Sequence, residues 1–239
     1  MLLHMSAPSI RSRLRNELTA EIKAAARRQL AKEGANLSLR AVAREMGMVS
    51  SAVYRYFPSR DDLLTALIID CYNELGRAAE KAAEKAAEPG RVLDRWLAFG
   101  HAVRDWALAN PAEYALIYGS PVPGYKAPQD TIGPAARPTD LLLRLLADGA
   151  RSGELKPTGS GGPSLMPATV AAELDRMRAQ MPMEVPANLL ARGITAWVQL
   201  FGLVNFELFG RFNGLIEEGR QDFFDYQLRV MAEHIGLDR

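Results

Sequence analysis

Cysteine occurs once, at Cys71, so no intrachain disulfide can form and nothing calls for an oxidising compartment; the expected location is the cytoplasm. Histidine occurs three times, at His4, His101 and His234, and never at metal-ligand spacing. The sequence has no G-x-G-x-x-G, no P-loop, no G-x-S-x-G and no C-x-x-C, which removes the signatures of dinucleotide binding, phosphate cradling, serine hydrolysis and dithiol chemistry. Neither an enzyme nor a cofactor is expected. Strand signals are almost absent, and the apolar run at the N-terminus is too short for a signal peptide. One long hydrophobic stretch, Ile194 to Gly210, approaches the length of a membrane span, but it carries Gln199, Asn205 and Glu207. It is expected to be a buried interface helix, with no membrane partner.

What is present is an uneven distribution of charge. The net charge is only +1, yet residues 1–60 hold 11 Lys and Arg against 4 Asp and Glu, +7, and the remainder holds 18 against 24, −6. A basic head on an acidic body is the footprint of a polyanion binder. Ala, Leu, Arg and Glu at helical period run throughout, so the fold class is all-α. Residues 1–11 are expected as a flexible arm, followed by a helix from about Ser12 to Lys32 with Gly34 at its end. Two short helices follow, then Ser59 as N-cap with Asp62 three residues on and a long helix behind it. Later helices are expected at about Arg91, at Asn110-Pro111, over Thr139–Ser152, Ala168–Gln180, Pro186–Phe212 and Gly219–Ile235. Two Gly/Pro stretches separate them, Ser120–Pro138, which is ordered function or disorder, and Lys156–Pro167.

The run SLRAVAREMGMVSSAVYRYF has the spacing of a helix-turn-helix. Ala43 is small where the second helix crosses, Gly47 suits a left-handed turn, Val53 plugs the second helix onto the first, and Phe57 extends that stripe. Ser38 and Ser50 are positioned as N-caps. What remains exposed is Ser50, Ser51, Ala52, Tyr54, Arg55 and Tyr56, a set of donors, small groups and one cation. A major groove admits a helix whose leading residues are small or hydrogen-bonding, with hydroxyl and guanidinium groups left to hold phosphates. Arg60, just past Pro58, lies where it can meet a backbone phosphate.

SLRAVAREMGMVSSAVYRYFPSRDDLL resembles the DNA-binding signature of the TetR family of bacterial transcriptional regulators. The resemblance implies a homodimer with a three-helix DNA-binding domain, residues 1–58, and a larger helical domain for effector binding and dimerisation, residues 59–239. Residue by residue it implies phosphate or base contact by Ser38, Arg40, Ser50, Ser51, Ala52, Tyr54, Arg55, Tyr56 and Arg60. Tyr118–Tyr125 and Ala196–Gly202 resemble a TetR subgroup marked by Trp, His and Gly in its C-terminal domain, with Phe201 here at the expected His position.

The function expected from these readings is a repressor held on a palindromic double-stranded operator and released by an unknown small-molecule effector. Trp96, Phe99, Trp106, Tyr114 and Tyr118 are the candidate effector contacts, in a pocket expected to be apolar with few polar anchors. Around the Pro186–Phe212 helix, Ile194, Trp197, Val198, Phe201, Val204 and Leu208 lie on one side and Leu200, Leu203, Phe206 and Phe209 on the other. A helix apolar all round needs cover all round, so a partner is expected on one side. Which side stays open; Val198, Phe201, Phe224, Leu228 and Met231 are the candidate dimer contacts. The alternative, a helical carrier or enzyme with an incidental basic head, has no sequence feature behind it, and a gel shift separates the two.

Overall fold

The computed structural model describes residues 10–87, 91–156, 166–181 and 183–237; the first nine residues of the expected arm and residues 157–165 of the second Gly/Pro stretch lie outside them. The described residues form ten α-helices, and the only β-type pairing among them is one isolated bridge, Leu155 to Leu237. The chain divides into two compact units. One takes in the chain through Cys71 together with Asn110–Ile132; the other takes in Tyr72–Ala109 and the chain from Gly133 on.

In the first unit α1 spans Ile10–Glu33, α2 Leu39–Glu45, α3 Ser50–Tyr54 and α6 Pro111–Tyr118, with the first half of α4, Arg60–Lys85. Helix α1 begins earlier than expected, so Ile10 and Arg11 are helical and not part of an arm. Ile22, Ala25, Ala26 and Leu30 bury one side of it against Leu39, Val42, Val53, Phe57, Leu63, Leu64 and Leu67. Ala43 and Val53 are buried at the α2–α3 crossing, and Gly47 takes φ +66°, the left-handed turn that its place after α2 requires. Ser38 is the N-cap of α2, but Val49, not Ser50, precedes α3, which leaves Ser50 as the first residue of that helix. At the start of α4, the Ser59 backbone N–H donates to Asp62 Oδ2 at 2.9 Å and the Asp62 N–H to Ser59 Oγ at 3.1 Å, a reciprocal capping box.

The segment after α6 is also built into this unit. Ala112 and Leu116 of α6, then Val122 and Tyr125, pack against the core of the head. The Tyr125 hydroxyl lies 2.9 Å from Thr65 Oγ1, and the Arg27 guanidinium lies 4.0 Å from Glu113. Gly119 is the C-cap of α6, and it has to be glycine because a Cβ there would stand 2.3 Å from the Ala115 carbonyl oxygen.

The second unit holds the rest of α4 with α5 (Val92–Ala109), α7 (Ile132–Ser152, but for its first residue), α8 (Ala168–Arg178), α9 (Ala187–Leu208) and α10 (Arg220–Ile235). Helix α7 begins seven residues before the expected Thr139 and runs through Pro134 and Pro138. Pro134 falls in its first turn, where the backbone N–H has no intrahelical partner to lose, so a proline there does not stop a helix. Helices α5, α9 and α10 pack together. They approach closely where α5 has Gly100, since a Cβ at that position would meet Leu228 Cδ2 at 2.4 Å. Buried between them, Arg104 Nε and one terminal nitrogen donate to the two carboxylate oxygens of Glu207 at 2.7 and 2.6 Å, Arg104 Nη1 donates to Gln221 Oε1, and the guanidinium lies over the Phe224 ring at 5.2 Å. By length and composition α9 could cross a membrane, but this buried ion pair and its packing make it a core helix of the unit.

Helix α10 ends on Gly236, at φ +97°. Its N–H donates to the Ala232 carbonyl at 3.0 Å, its own carbonyl accepts from Lys156 N–H at 2.9 Å, and a Cβ would sit 2.4 Å from the Lys156 carbonyl oxygen. Gly236→Ala is therefore expected to destabilise the chain by at least about 1–2 kcal/mol, the left-handed conformation alone costing that much. Chemical denaturation of the variant checks it through a lower midpoint at unchanged slope.

Candidate nucleic-acid interface

The elements that form the head decide which side chains it can present. With Leu39, Val42 and Ala43 turned inward, α2 leaves Arg40 outward, and Ser38 is exposed at its cap. With Val53 inward, α3 leaves Ser51, Tyr54 and Arg55 exposed and Ser50 and Ala52 half-buried. Tyr56 is half-buried at the edge of the core, with the Arg15 guanidinium carbon 5.8 Å from its ring centroid. Eight of the nine residues expected at DNA, all but Arg60, thus fall on the two short helices or within two residues of their ends, and apart from Ala52 they carry hydroxyl, phenol or guanidinium groups.

Arg60 is differently placed. Its Nη2 donates to the Ala35 carbonyl at 2.6 Å and Nη1 lies 3.6 Å from Asp61, so its guanidinium ties the start of α4 to the α1–α2 turn. Two more pairs hold the frame. Arg28 Nε donates to Glu45 Oε1 at 2.5 Å, linking α1 to α2, and this hydrogen bond holds the Glu45 carboxyl below its ordinary pKa. Lys23 pairs with Asp70 at 2.5 Å, linking α1 to α4. These pairs fix α1, α2 and α4 to one another; α3, only five residues long and too short to hold itself, is seated on α2 through the buried Val53.

The aromatic candidates for an effector pocket fall in both units. In the second, Trp96 and Phe99 are fully buried with ring centroids 5.9 Å apart, Trp106 is buried too, and Trp96 Nε1 donates to the Leu228 carbonyl at 2.9 Å. In the first, Tyr114 is fully buried, with Tyr118 half-buried beside it at 5.2 Å between centroids. The Tyr114 hydroxyl has no hydrogen-bond partner among the described residues, and burial pushes its pKa up, which keeps it a neutral donor.

Of the five residues expected at a dimer surface, Phe201, Phe224, Leu228 and Met231 are buried inside the chain's own core, while Val198 is 64 % exposed. The exposed apolar side of α9 is Ile194, Val198, Phe206 (53 %) and Phe209. It therefore draws on both of the sides that the sequence distinguishes. Gly202 lies between Val198 and Phe206 on that side, and a Cβ there would meet nothing within 4 Å.

Comparison with known proteins bears on the same regions. The family described as "Bacterial regulatory proteins, tetR family" matches residues 22–67, the head from α1 into α4, and "Tetracyclin repressor-like, C-terminal domain" matches residues 96–231. Curated relatives include the HTH-type transcriptional regulators Rv1816 of Mycobacterium tuberculosis and Mb1846 of Mycobacterium bovis, each 37 % identical over 230 residues, covering 92 % of this chain and 94 % of the relative. Among solved structures, the regulatory protein SCO4313 superposes with a TM-score of 0.74 at 33 % identity, covering 95 % of this chain and all of the other. A TetR family transcriptional regulator, PfmR of Thermus thermophilus, shares the fold at a TM-score of 0.58 and 18 % identity. With both halves matched and near-complete relatives at this identity, the chain belongs to the TetR family of bacterial transcriptional regulators.

Proposed function

We infer that the chain is a homodimeric repressor that grips a palindromic operator through Ser38, Arg40, Arg60 and, on α3 and just past its end, Ser50, Ser51, Ala52, Tyr54, Arg55 and Tyr56, and that a small molecule releases it. The observation that carries the reading is the surface of α3: everything on it that is not buried is small, hydroxylic or cationic, on a head of charge +7. Base reading falls to Ser51 and Ala52 in the helix and to Arg55 at its C-cap, phosphate binding to the Tyr54 and Tyr56 hydroxyls. Two heads must sit about 34–36 Å apart to meet successive half-sites. Helix α4 is continuous from Arg60 to Lys85 and belongs to both units, and we take it as the element that passes an effector-driven displacement to the head. A shift of that kind changes the spacing of the two heads and weakens the grip.

The effector contacts proposed are Trp96, Phe99 and Trp106 in the second unit and Tyr114 and Tyr118 in the first, each set taken within its own unit. Among these the Tyr114 hydroxyl is the natural polar anchor, because a buried donor without a partner gains most from meeting one. The division of labour follows the sequence, with DNA binding in residues 1–58 and the effector and dimer functions in residues 59–239.

The test is selection of bound duplexes from a random pool, followed by titration of the selected palindrome. Binding should fall steeply with salt, each neutralised phosphate contributing a log–log slope of about −0.9. Tyr54→Phe should weaken all duplexes alike, and Arg55→Ala should change base preference, costing about 1–3 kcal/mol at the position it reads. Failure to enrich any duplex, or binding indifferent to salt, overturns the reading.

A further inference from the structure

The first three turns of α1 touch the core only through Leu18. The helix starts at Ile10, yet its first fully buried residue is Ile22, so Ile10 to Glu21, about 18 Å of helix at 1.5 Å per residue, runs mostly along the outside of the head. This extension is one wall of an open groove of about 1040 Å³, to which it contributes Arg11, Leu14 and Arg15; the other wall is the recognition helix and its end, with Ala52, Arg55 and Tyr56. Charge is arranged along it. Farther down α1 the basic residues are matched, Lys23 with Asp70, Arg27 with Glu113 and Arg28 with Glu45. Arg11, Arg15 and Arg55 form no ion pair with any described residue. Glu17 and Glu21 line the same groove at its inner end, nearer the core, and repel an anion there.

We propose that this groove is a second DNA contact, in which one phosphodiester strand flanking the bases read by α3 lies along Arg11 and Arg15 on one wall, opposite the wall that carries the base-reading Arg55. The inference rests on the DNA-binding reading above and extends it from α3 to α1. Arg15 is held for the task by its stack over Tyr56, which fixes a long, mobile side chain beside the recognition helix. The exposed Leu14 supplies an apolar contact for deoxyribose on the same wall. A duplex is favoured over single-stranded nucleic acid because the groove offers a single aromatic ring, and Arg15 already covers it, leaving no platform on which successive bases could stack. The two carboxylates set the direction: the strand crosses at the outer end of α1 and bypasses Glu17 and Glu21. The occupied site is therefore longer on each side than the reach of α3 alone.

The experiment compares the full-length wild type with Arg11→Ala/Arg15→Ala on two duplexes, the selected palindrome with long flanks and the same palindrome trimmed to the bases that α3 reads. On the long duplex the double variant should bind about ten-fold or more weakly, with its log–log salt slope shallower by about 0.9–1.8, the loss of one or two phosphate contacts. On the trimmed duplex the two proteins should bind equally. Arg13→Ala, at a residue that does not line the groove, should match the wild type, and Glu21→Gln should tighten binding to the long duplex several-fold. Tyr56→Phe should retain the flank effect and Tyr56→Leu should lose it, because the stack needs a ring and not a hydroxyl. All substitutions but those at Tyr56 are at exposed positions, and melting curves overlaying the wild type confirm that the fold is intact. If the double variant binds the long duplex as the wild type does, with the same salt slope, while Arg55→Ala is impaired, the groove contact is wrong and the α3 reading stands. If Arg55→Ala binds normally as well, the reading of α3 falls first.

Discussion

Val198→Glu is expected to convert a dimer into a folded monomer and to weaken binding to a two-half-site operator by about 100-fold or more, the range by which linked sites exceed single ones. Val198 is 64 % exposed on α9, so a glutamate there meets water in the isolated chain and leaves the fold alone. Across a two-fold interface the same carboxylate lies close to its symmetry mate, and two like charges stripped of water cannot be paired there. The apolar side formed by Ile194, Val198, Phe206 and Phe209 is large for a soluble helix, and Gly202 at its middle lets a second helix approach without meeting a side chain. Phe206→Glu should act in the same way. Light scattering at micromolar concentration separates the states, and titration of a single half-site gives the contrast: monomer and dimer should bind it with similar affinity. A Val198→Glu protein that remains a dimer puts the interface elsewhere, and a wild-type monomer that still binds the whole palindrome tightly removes the dimer from the mechanism.

Glu207→Ala is expected to carry the largest loss of stability, about 3–5 kcal/mol, a substantial share of the about 5–15 kcal/mol that holds an ordinary domain folded. Arg104 and Glu207 are both more than nine-tenths buried and meet in a two-pronged pair at 2.6 and 2.7 Å. Removing the carboxylate leaves a guanidinium deprived of water, with Gln221 and the Phe224 face as its remaining company. Arg104→Lys does not substitute, since an ammonium cannot engage both oxygens in the plane of the carboxylate. Replacing the pair together, Arg104→Met with Glu207→Leu, should recover most of the loss, because an apolar pair of similar volume removes the stranded charge. Urea denaturation of the three variants decides it. If Glu207→Ala unfolds at the wild-type midpoint, the pair adds nothing to stability.

Local chemistry was the part of this fold that could be read before any coordinates. The left-handed Gly47, the crossing at Ala43 and Val53 and the box between Ser59 and Asp62 each depend on residues a few positions apart, and the structure has them as expected. Ser50 misled because a serine two places before Ala52 suits either the cap or the first turn, and the preceding extended Val49 takes the cap. Ser120–Pro138 misled because its prolines and glycines read as loop, while α7 starts at Ile132, takes Pro134 in its first turn and carries Pro138 in its interior. What no local pattern announces is long-range pairing. Arg104 and Glu207 are 103 residues apart, Trp96 and the Leu228 carbonyl 132, and Thr65 and Tyr125 60. The same blindness applies to α9, where a helix apolar on all sides gives no sign that Phe201 faces its own core and Phe206 the outside. The groove between α1 and α3 was legible only as the excess of positive charge in residues 1–60; that Arg11 and Arg15 stand in a helix across from Arg55 needed the fold.

The packing of Ala112, Leu116, Val122 and Tyr125 onto the head has a consequence for the order of events on the ribosome. When Cys71 has been translated, α1, α2, α3 and the first half of α4 exist, but part of the cover over their core does not. At about 5–20 residues per second, the 61 residues from Cys71 to Ile132 take roughly 3–12 s to add. Within that interval the nascent head has Arg27 without Glu113 until 42 more residues are added, and Thr65 without Tyr125 until 54 are. It completes its packing only after α5, an element of the other unit, has been made, so the two units mature interleaved, and a gene fusion that transplants the head at residue 71 leaves its cover behind.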